Sequence, residues 1–452
     1  MEVKDNFFKC FREFQRFKIS DLMTNTDINK DYCQLQIEKL LQEKILMLDE
    51  DEIYYFKFVG TINWVDRLIV IFPKYRELQN LNLAIEDKKY LKQLFDIFEM
   101  YNSKSKRTDT FFIETSNETE EYFSLFSLYK KLVEDYVQNN LYENENIVHE
   151  LLGAGEIDWM RTVQDIQPNF SKNMQPIYLN YYTYNVEEEQ QNYIKLIQKE
   201  LLFKASEFFK QFEELELDII ELDFYFEEEV IGDLDYKINK IDLELREVFS
   251  ESKIRLLNLM KQILKNLKHN KVNDLNLYGT KNFEKVWENI CQNVFGHQPE
   301  WLDVIIKPKW REINKDISIE ADTLIPDITF IKDKIFYILD AKYYNCNFNE
   351  KGKLVGSKPG IGDISKQFLY QSAYEDYFKN NLNVEKYINA FLMPTSEKNL
   401  DYQIIGEIEF PLAIFYDKKI KVLKINTEVM YKYYLNRSNL ILEFHKKDLN
   451  IN

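Results

Sequence analysis

Asp327, Asp340 and Lys342 are the residues whose types and spacing could do chemistry in this chain. They lie within Leu324–Lys342, LIPDITFIKDKIFYILDAK, which reads as two apolar strands joined by the polar turn Lys332-Asp333-Lys334. Side chains alternate faces along a strand, so Phe336, Ile338, Asp340 and Lys342 share one face. A carboxylate and an ammonium therefore project together from the end of an apolar strand. Asp327, just after Pro326, can lie across the hairpin from them. Two carboxylates converging beside a lysine suit a hard divalent cation and an activated water. Bare Pro-Asp and Asp-x-Lys pairs are weak signals in a chain that is 30% charged, because such pairs are commonly solvated strand ends. The apolar strands, the short turn and the polar elements that follow give this one its weight.

Those elements must hold the three residues in place. Upstream, Phe283–Phe295 reads as a helix with Phe283, Val286, Trp287, Ile290 and Val294 on one stripe, and with Glu284 and Glu288 one turn apart on its flank. Downstream comes a loop, Asn345–Gly362, rich in Gly, Lys and Asn; Asp363 is placed to cap a helix running to about Asn380. An apolar strand, Ile388–Met393, is stopped by Pro394. Helix, hairpin, loop, helix and strand in that order give α/β layers around a small mixed sheet. The formal net charge is -17, which argues against a chain coated in basic surface for nucleic acid. Acidic residues nevertheless gather elsewhere, in Glu213–Glu229, whereas Lys307, Lys309, Arg311, Lys351, Lys353, Lys358 and Lys366 cluster in sequence about the hairpin.

The 452 residues are too many for one ordinary core, and 45% hydrophobic content with 15% aromatics favours globular folding. No stretch approaches the roughly 20 apolar residues of a membrane span. The start, MEVKDNFFKCFREFQRF, is too charged for a secretory signal, and Cys10, Cys33, Cys291 and Cys346 have no paired spacing. A reducing cytoplasm fits best. Residues 1–56 read as short helices, with Ser20 as a cap, followed by a strand at Ile53–Val59; a winged-helix-like unit and an ordinary helical subdomain both fit. Residues 57–184 read as a mixed α/β region for DNA or partner binding. It opens with two apolar strands around a turn near Asn63–Arg67, and helices follow at Leu78–Tyr101 and Glu120–Asn139. Gly153–Thr162, GAGEIDWMRT, reads as a structural turn holding two layers together. Residues 185–270 read as a helical connector, and the final third, 271–452, carries the hairpin.

The order of elements with PD…DAK on the hairpin resembles the PD-(D/E)XK nuclease superfamily. Within it the chain is similar to the LlaJI-type restriction endonucleases and, more loosely, to McrC nuclease subunits. FEKVWENI (283–290), KPKW (307–310), TLIPDI (323–328), ILDAKYY (338–344) and DISKQFLYQSAY (363–374) carry the likeness. FVGTINWVDRLIVIFPK (58–74) and GEIDWMRT (155–162) resemble the same families' N-terminal portions. Asp340 stands where many superfamily members have Glu, a difference that their pattern allows.

The resemblance implies a mixed α/β nuclease domain over 271–452 in a Mg2+-dependent DNA endonuclease of a bacterial restriction or anti-phage system. On that basis Asp327, Asp340 and the Ala341 backbone carbonyl are the expected Mg2+ ligands, and Lys342 sits beside the attacking water. Glu288, with Glu284 as competitor, would complete the metal site or orient a bound water. Gln367 and Tyr370 resemble the glutamine–tyrosine element that some superfamily members place beside the metal, and Lys353, Lys358, Lys366 and Tyr370 are the expected DNA contacts. With four histidines in the chain, a histidine nuclease or zinc hydrolase is disfavoured. Implied partners are double-stranded DNA, a companion DNA methyltransferase and an McrB-like AAA+ GTPase gripping the strands around Phe58–Lys74. The chain has no GxxxxGK[ST] loop of its own. A non-catalytic assembly or DNA-binding subunit that keeps the nuclease fold, and a RecB-like repair nuclease, are the alternatives.

Overall fold

In the computed structural model, residues 8–22, 30–64, 67–77, 85–108, 124–143, 145–188, 193–210, 212–215, 217, 220, 222, 224–226, 232–269, 277–305, 307–313, 318–320, 325–379, 384–397 and 401–440 are described. Backbone pairing divides them into two compact units. The first comprises Met1–Ser124, Glu214–Leu217 and Val272–Asn452, and the second Leu125–Glu213 and Asp218–Lys271. The stretch 57–184 is thus shared between the two, and the helical run after 185 belongs with residues 125–184. Of the acidic residues of Glu213–Glu229, all but Glu213 and Glu214 lie outside the described residues.

Long-range pairing explains why the start of the chain joins the final third. Phe8–Arg12 is a strand, not a helix, because its alternating apolar side chains can pair in parallel with Arg67–Phe72. Next to that strand lies Val59–Trp64, and Tyr278–Thr280 completes the four-stranded sheet by pairing with it. Gly60 and Gly279 sit opposite each other at φ of 144° and 155°; a Cβ on either would run into the facing backbone oxygen, of Tyr278 or Val59. Every residue of Arg67–Phe72 is buried. The strands around Phe58–Lys74 are therefore interior to the first unit, which overturns the expectation that a partner grips them. Tyr75, Tyr90 and Tyr431 link hydroxyls in the same interior, with 2.8 Å between the first two, and Arg76 bridges Asp87 at 3.0 Å and Glu428 at 3.3 Å.

Ser20 lies in a single 3₁₀ turn, Ile19–Asp21, rather than capping a helix. The helix Lys30–Gln42 leads into a hairpin of Leu46–Leu48 and Tyr54–Phe56. The expected helix from Leu78 is described from Ile85 and continues to Thr108, and that from Glu120 is described over Ser124–Asn139.

The second sheet of the first unit is mixed, in the order Ile328–Lys332, Ile335–Ala341, Lys386–Thr395, Lys419–Asn426, Tyr402–Glu409. Its first two strands form the expected antiparallel hairpin, and the next two add in parallel. Asp333 and Lys334 at the turn have φ of 47° and 62°, the twist that a two-residue hairpin prefers. Phe336 and Ile338 pack on Tyr370, Tyr374 and Phe378 of the helix Ile361–Phe378, so the shared strand face exists as the alternation requires. The helix Phe283–Phe295 buries its whole apolar stripe, and its Trp287 indole donates to the Leu392 carbonyl at 3.2 Å.

In the second unit, the helices Tyr193–Lys210, Leu234–Glu247 and Glu251–His269 follow a three-stranded sheet ordered Glu145–Leu151, Tyr182–Glu188, Glu156–Ile157. Phe126 meets Phe208, Phe209 and Phe212 edge to face, and Lys237 pairs with Glu200 at 2.6 Å in the interior. Trp159–Asp165 is a short helix whose first turn is capped by Asp158, which accepts the Arg161 N–H at 3.0 Å. Trp159, at 57% exposure, and Met160, at 76%, lie in the open, so GEIDWMRT forms a surface rather than clamping layers together. Among the described residues, no helix is long and apolar enough to cross a membrane.

Candidate active site

The hairpin ends where its apolar strands run out, and there the charged residues meet. Asp327 precedes the first strand, and its Oδ2 accepts the Ala341 N–H at 2.8 Å, which ties the two strand ends together. Asp340 is the last buried position of the second strand and is 6% exposed. Pairing continues one residue beyond it: the Lys342 N–H donates to the Leu392 carbonyl at 2.9 Å. The Lys342 ammonium then turns back to Asp340 Oδ2 at 2.6 Å and reaches Asp363 Oδ1 at 3.3 Å.

Burial and crowding set the electrostatics. Burial, then the charges of Asp340 and Glu288, push the Asp327 carboxyl up to about 8. Glu288 is also pushed up, by burial first and Asp340 next. For Lys342, burial works to lower the pKa, but the Asp340 carboxylate outweighs it with help from Asp363, and the ammonium is held charged. Four carboxylates, Asp327, Asp340, Asp363 and Glu288, act on one ammonium and leave an excess of negative charge that a divalent cation would cancel. Among the described residues no three His, Cys, Asp or Glu side chains are gathered as a ready metal cage. Asp327 and Asp340 with the Ala341 carbonyl are instead a sparse, oxygen-only set, which fits a hard cation that keeps several of its own waters.

The two helix carboxylates separate cleanly. Glu288 faces the aspartate pair, whereas Glu284 acts on Glu13 and Lys74. Lys353, Lys358 and Lys366 are exposed along the loop and helix after the hairpin, where cations can reach a phosphate backbone. Gln367 and Tyr370 are placed differently from what the resemblance implied. Gln367 is fully buried and donates to the Ile338 carbonyl at 3.1 Å and to Asn389 Oδ1 at 2.7 Å, so it braces the strand instead of touching the reacting groups. Tyr370 is buried too, and its hydroxyl donates to the Ile325 carbonyl at 3.0 Å. It holds the approach to Pro326–Asp327 and offers no open face to DNA.

Two participants were not read from the sequence. Asp363 does not begin its helix as expected: the helix starts at Ile361 after Gly360, and Asp363, its third residue, accepts the Gly360 N–H and reaches the lysine; its spacing with Gln367 and Tyr370 on one helix face was the available signal. Glu13 accepts the Tyr343 hydroxyl at 2.6 Å, just past the lysine, and nothing local in the sequence connects residues so far apart.

The sequence model of the family described as LlaJI restriction endonuclease matches residues 58–436. The component YdjA of the type II restriction enzyme BsuMI from Bacillus subtilis (strain 168) is 32% identical over 410 residues, covering 88% of this chain and 84% of that protein. A chain from the Thermococcus gammatolerans tetradecameric assembly of McrB AAA+ hexamers with bound McrC aligns with a TM-score of 0.40 at 13% identity, over 97% of this chain and 100% of its own length. A chain of the McrBC complex from the same organism aligns at 0.26 and 12% identity, over 58% and 85%.

Proposed function

This chain belongs to the LlaJI restriction endonuclease family, and we propose that it is the DNA-cutting subunit of a restriction system, with a PD-(D/E)XK nuclease core and Mg2+ as its ion. The observation that carries this reading is the convergence of Asp327, Asp340 and Lys342 at one strand end. Mg2+ held by the two aspartates and the Ala341 carbonyl would supply charge on the scissile phosphate and an acidified water. The remaining work falls to the chain. A cation held there would offset the burial that raises the Asp327 carboxyl and favour its ionised form. Lys342 keeps a full positive charge where negative charge develops on the phosphate and the attacking oxygen. Glu288 lies close enough to orient a water, while Lys353, Lys358 and Lys366 fix the register of the duplex on its phosphates. Such contacts position DNA without reading sequence.

The relative's description as one component of a restriction enzyme supports a multi-part system. We assign the partner as an McrB-like AAA+ GTPase, because this chain has no phosphate-binding loop of its own. A companion methyltransferase would protect the host's double-stranded DNA. The exposed apolar residues of the second unit, Trp159, Met160, Val163, Phe170, Met174 and Leu179, are a surface that a protein partner could cover. The test is a cleavage assay in Mg2+ with the chain alone, and then with the partner GTPase and GTP. Cutting that needs the partner, the nucleotide and Asp340 is the expected result. A complex that assembles but never cuts would leave a non-catalytic assembly subunit.

A further inference from the structure

The helix Ile361–Phe378 touches the candidate site at three points along one face. Asp363, Gln367 and Tyr370 stand at helical spacing, and each holds a different part: the Lys342 ammonium, the Ile338 carbonyl and the Ile325 carbonyl. The last two contacts brace backbone. The first acts on the lysine itself. Asp363 uses its two oxygens separately, Oδ2 accepting the Gly360 N–H at 3.3 Å and Oδ1 facing Lys342 at 3.3 Å. The helix start therefore fixes the carboxylate, and its other oxygen is left for the ammonium.

This geometry creates a competition. Lys342 sits on Asp340 at 2.6 Å, and Asp340 is a carboxylate that the proposed Mg2+ must also use. A cation held at Asp340 would repel the ammonium, which would then need another anchor still beside the site. We propose that Asp363 is a positioning residue that supplies a second anchor for Lys342, freeing Asp340 for the cation while keeping the lysine at the site. This rests on the nuclease reading above. It also makes the helix, and the lysine-bearing loop Asn345–Gly362 that leads into it, part of what readies the site.

The test measures Mg2+ binding to the full-length chain by calorimetry, without DNA or turnover. Asp363→Asn keeps an oxygen for Gly360 and should fold as the parent does. It should bind Mg2+ about fivefold more weakly, because Lys342 then stays on Asp340. In a Lys342→Ala background there is no ammonium to displace, and the same substitution should change Mg2+ affinity little. Asp363→Glu, which keeps the carboxylate, should recover most of the loss, and Asp363→Ser is a second cap-preserving variant should the amide fail to fold. An effect of Asp363→Asn that is equally large with and without Lys342 would mean a long-range field, and would overturn the second-anchor role. If the parent chain bound no Mg2+, the nuclease reading would fail first. Binding that is unchanged in Asp363→Asn would overturn this inference alone. With the partner present, the variant should lose kcat while KM for DNA holds.

Discussion

The end of the motif hairpin and the stretch Trp159–Leu179 of the second unit break opposite rules. At the hairpin, carboxylates and an ammonium are packed out of water against one another, and Asp327 is driven to about 8 as a result. Along Trp159–Leu179, the helix Trp159–Asp165 and the chain after it, large apolar side chains stand in water, Met160 and Met174 each at 76%. Neither arrangement is what a chain optimised only for its own stability would adopt. Crowded charge wants a counter-charge, and an apolar surface wants another surface. On the proposed reading, the two places would take different things: an ion and its phosphate at one, a protein at the other.

The most severe way to break that comparison is Asp340→Ala. Removing a carboxylate that serves an ion should lower the cleavage rate by about 1000-fold or more, as several kcal/mol of charge stabilisation are lost. The Mg2+-free fold should survive, since Lys342 keeps Asp363 and the repulsion on Asp327 is relieved. A variant that melts like the parent and still cuts as fast would move the chemistry elsewhere. On the other side, Met160→Glu should leave melting unchanged, because the side chain is already in solvent. It should weaken partner binding by about 30-fold, the scale of an interface hot spot, as read by calorimetry with the GTPase. An unchanged affinity would put the partner on a different surface.

What could be read in advance follows the range of the forces involved. The hairpin, the buried stripe of Phe283–Phe295 and the helix after the loop were legible because periodicity and turn chemistry act over a few residues. The strand Phe8–Arg12 was not, because its partner lies at Arg67–Phe72 and a short apolar run suits a helix as well. Tyr278–Thr280 gave no sign that it would close a sheet begun at Val59, although Gly60 and Gly279 mark where the two backbones meet. In the site, Asp327, Asp340 and Lys342 were legible from alternation and from the family resemblance. Asp363 was legible only as a cap, and Glu13 not at all, since both act through tertiary contacts. The exposure of GEIDWMRT was missed because tight polar turns look alike whether covered or open.

Glu13 sharpens the contrast through pH. Burial pushes its carboxyl up to about 7, against the opposing pull of the Tyr343 hydroxyl and Lys74, and Glu284 adds to the rise. A carboxyl raised in the folded state is favourable to folding below its unfolded pKa, and that contribution is lost as pH rises through the folded value. Parent stability should therefore fall between about pH 5 and pH 8, by about 2 to 3 kcal/mol from this group. Glu13→Gln, which mimics the protonated form, should flatten that part of the profile in urea titrations at each pH. A slope that persists unchanged would mean that the charge of Glu13 is not what the first unit buries at a cost.

The smallest expected effect separates two roles for Tyr370. The resemblance implied a DNA contact; the structure shows a buried ring whose hydroxyl holds the Ile325 carbonyl, two residues before Asp327. Tyr370→Phe keeps the ring and its packing on Phe336 and Ile338, and removes one hydrogen bond worth about 1 kcal/mol. Ile325 is itself exposed, so water can satisfy the freed carbonyl and the fold should hardly notice. What should change is the placement of Asp327, and with it the Mg2+ concentration needed for half-maximal cutting, by about fivefold. DNA affinity, measured without Mg2+, should stay as it is. If DNA binding weakens instead while the Mg2+ dependence holds, the hydroxyl reaches the duplex after all, and the hairpin end is less self-contained than its contacts make it.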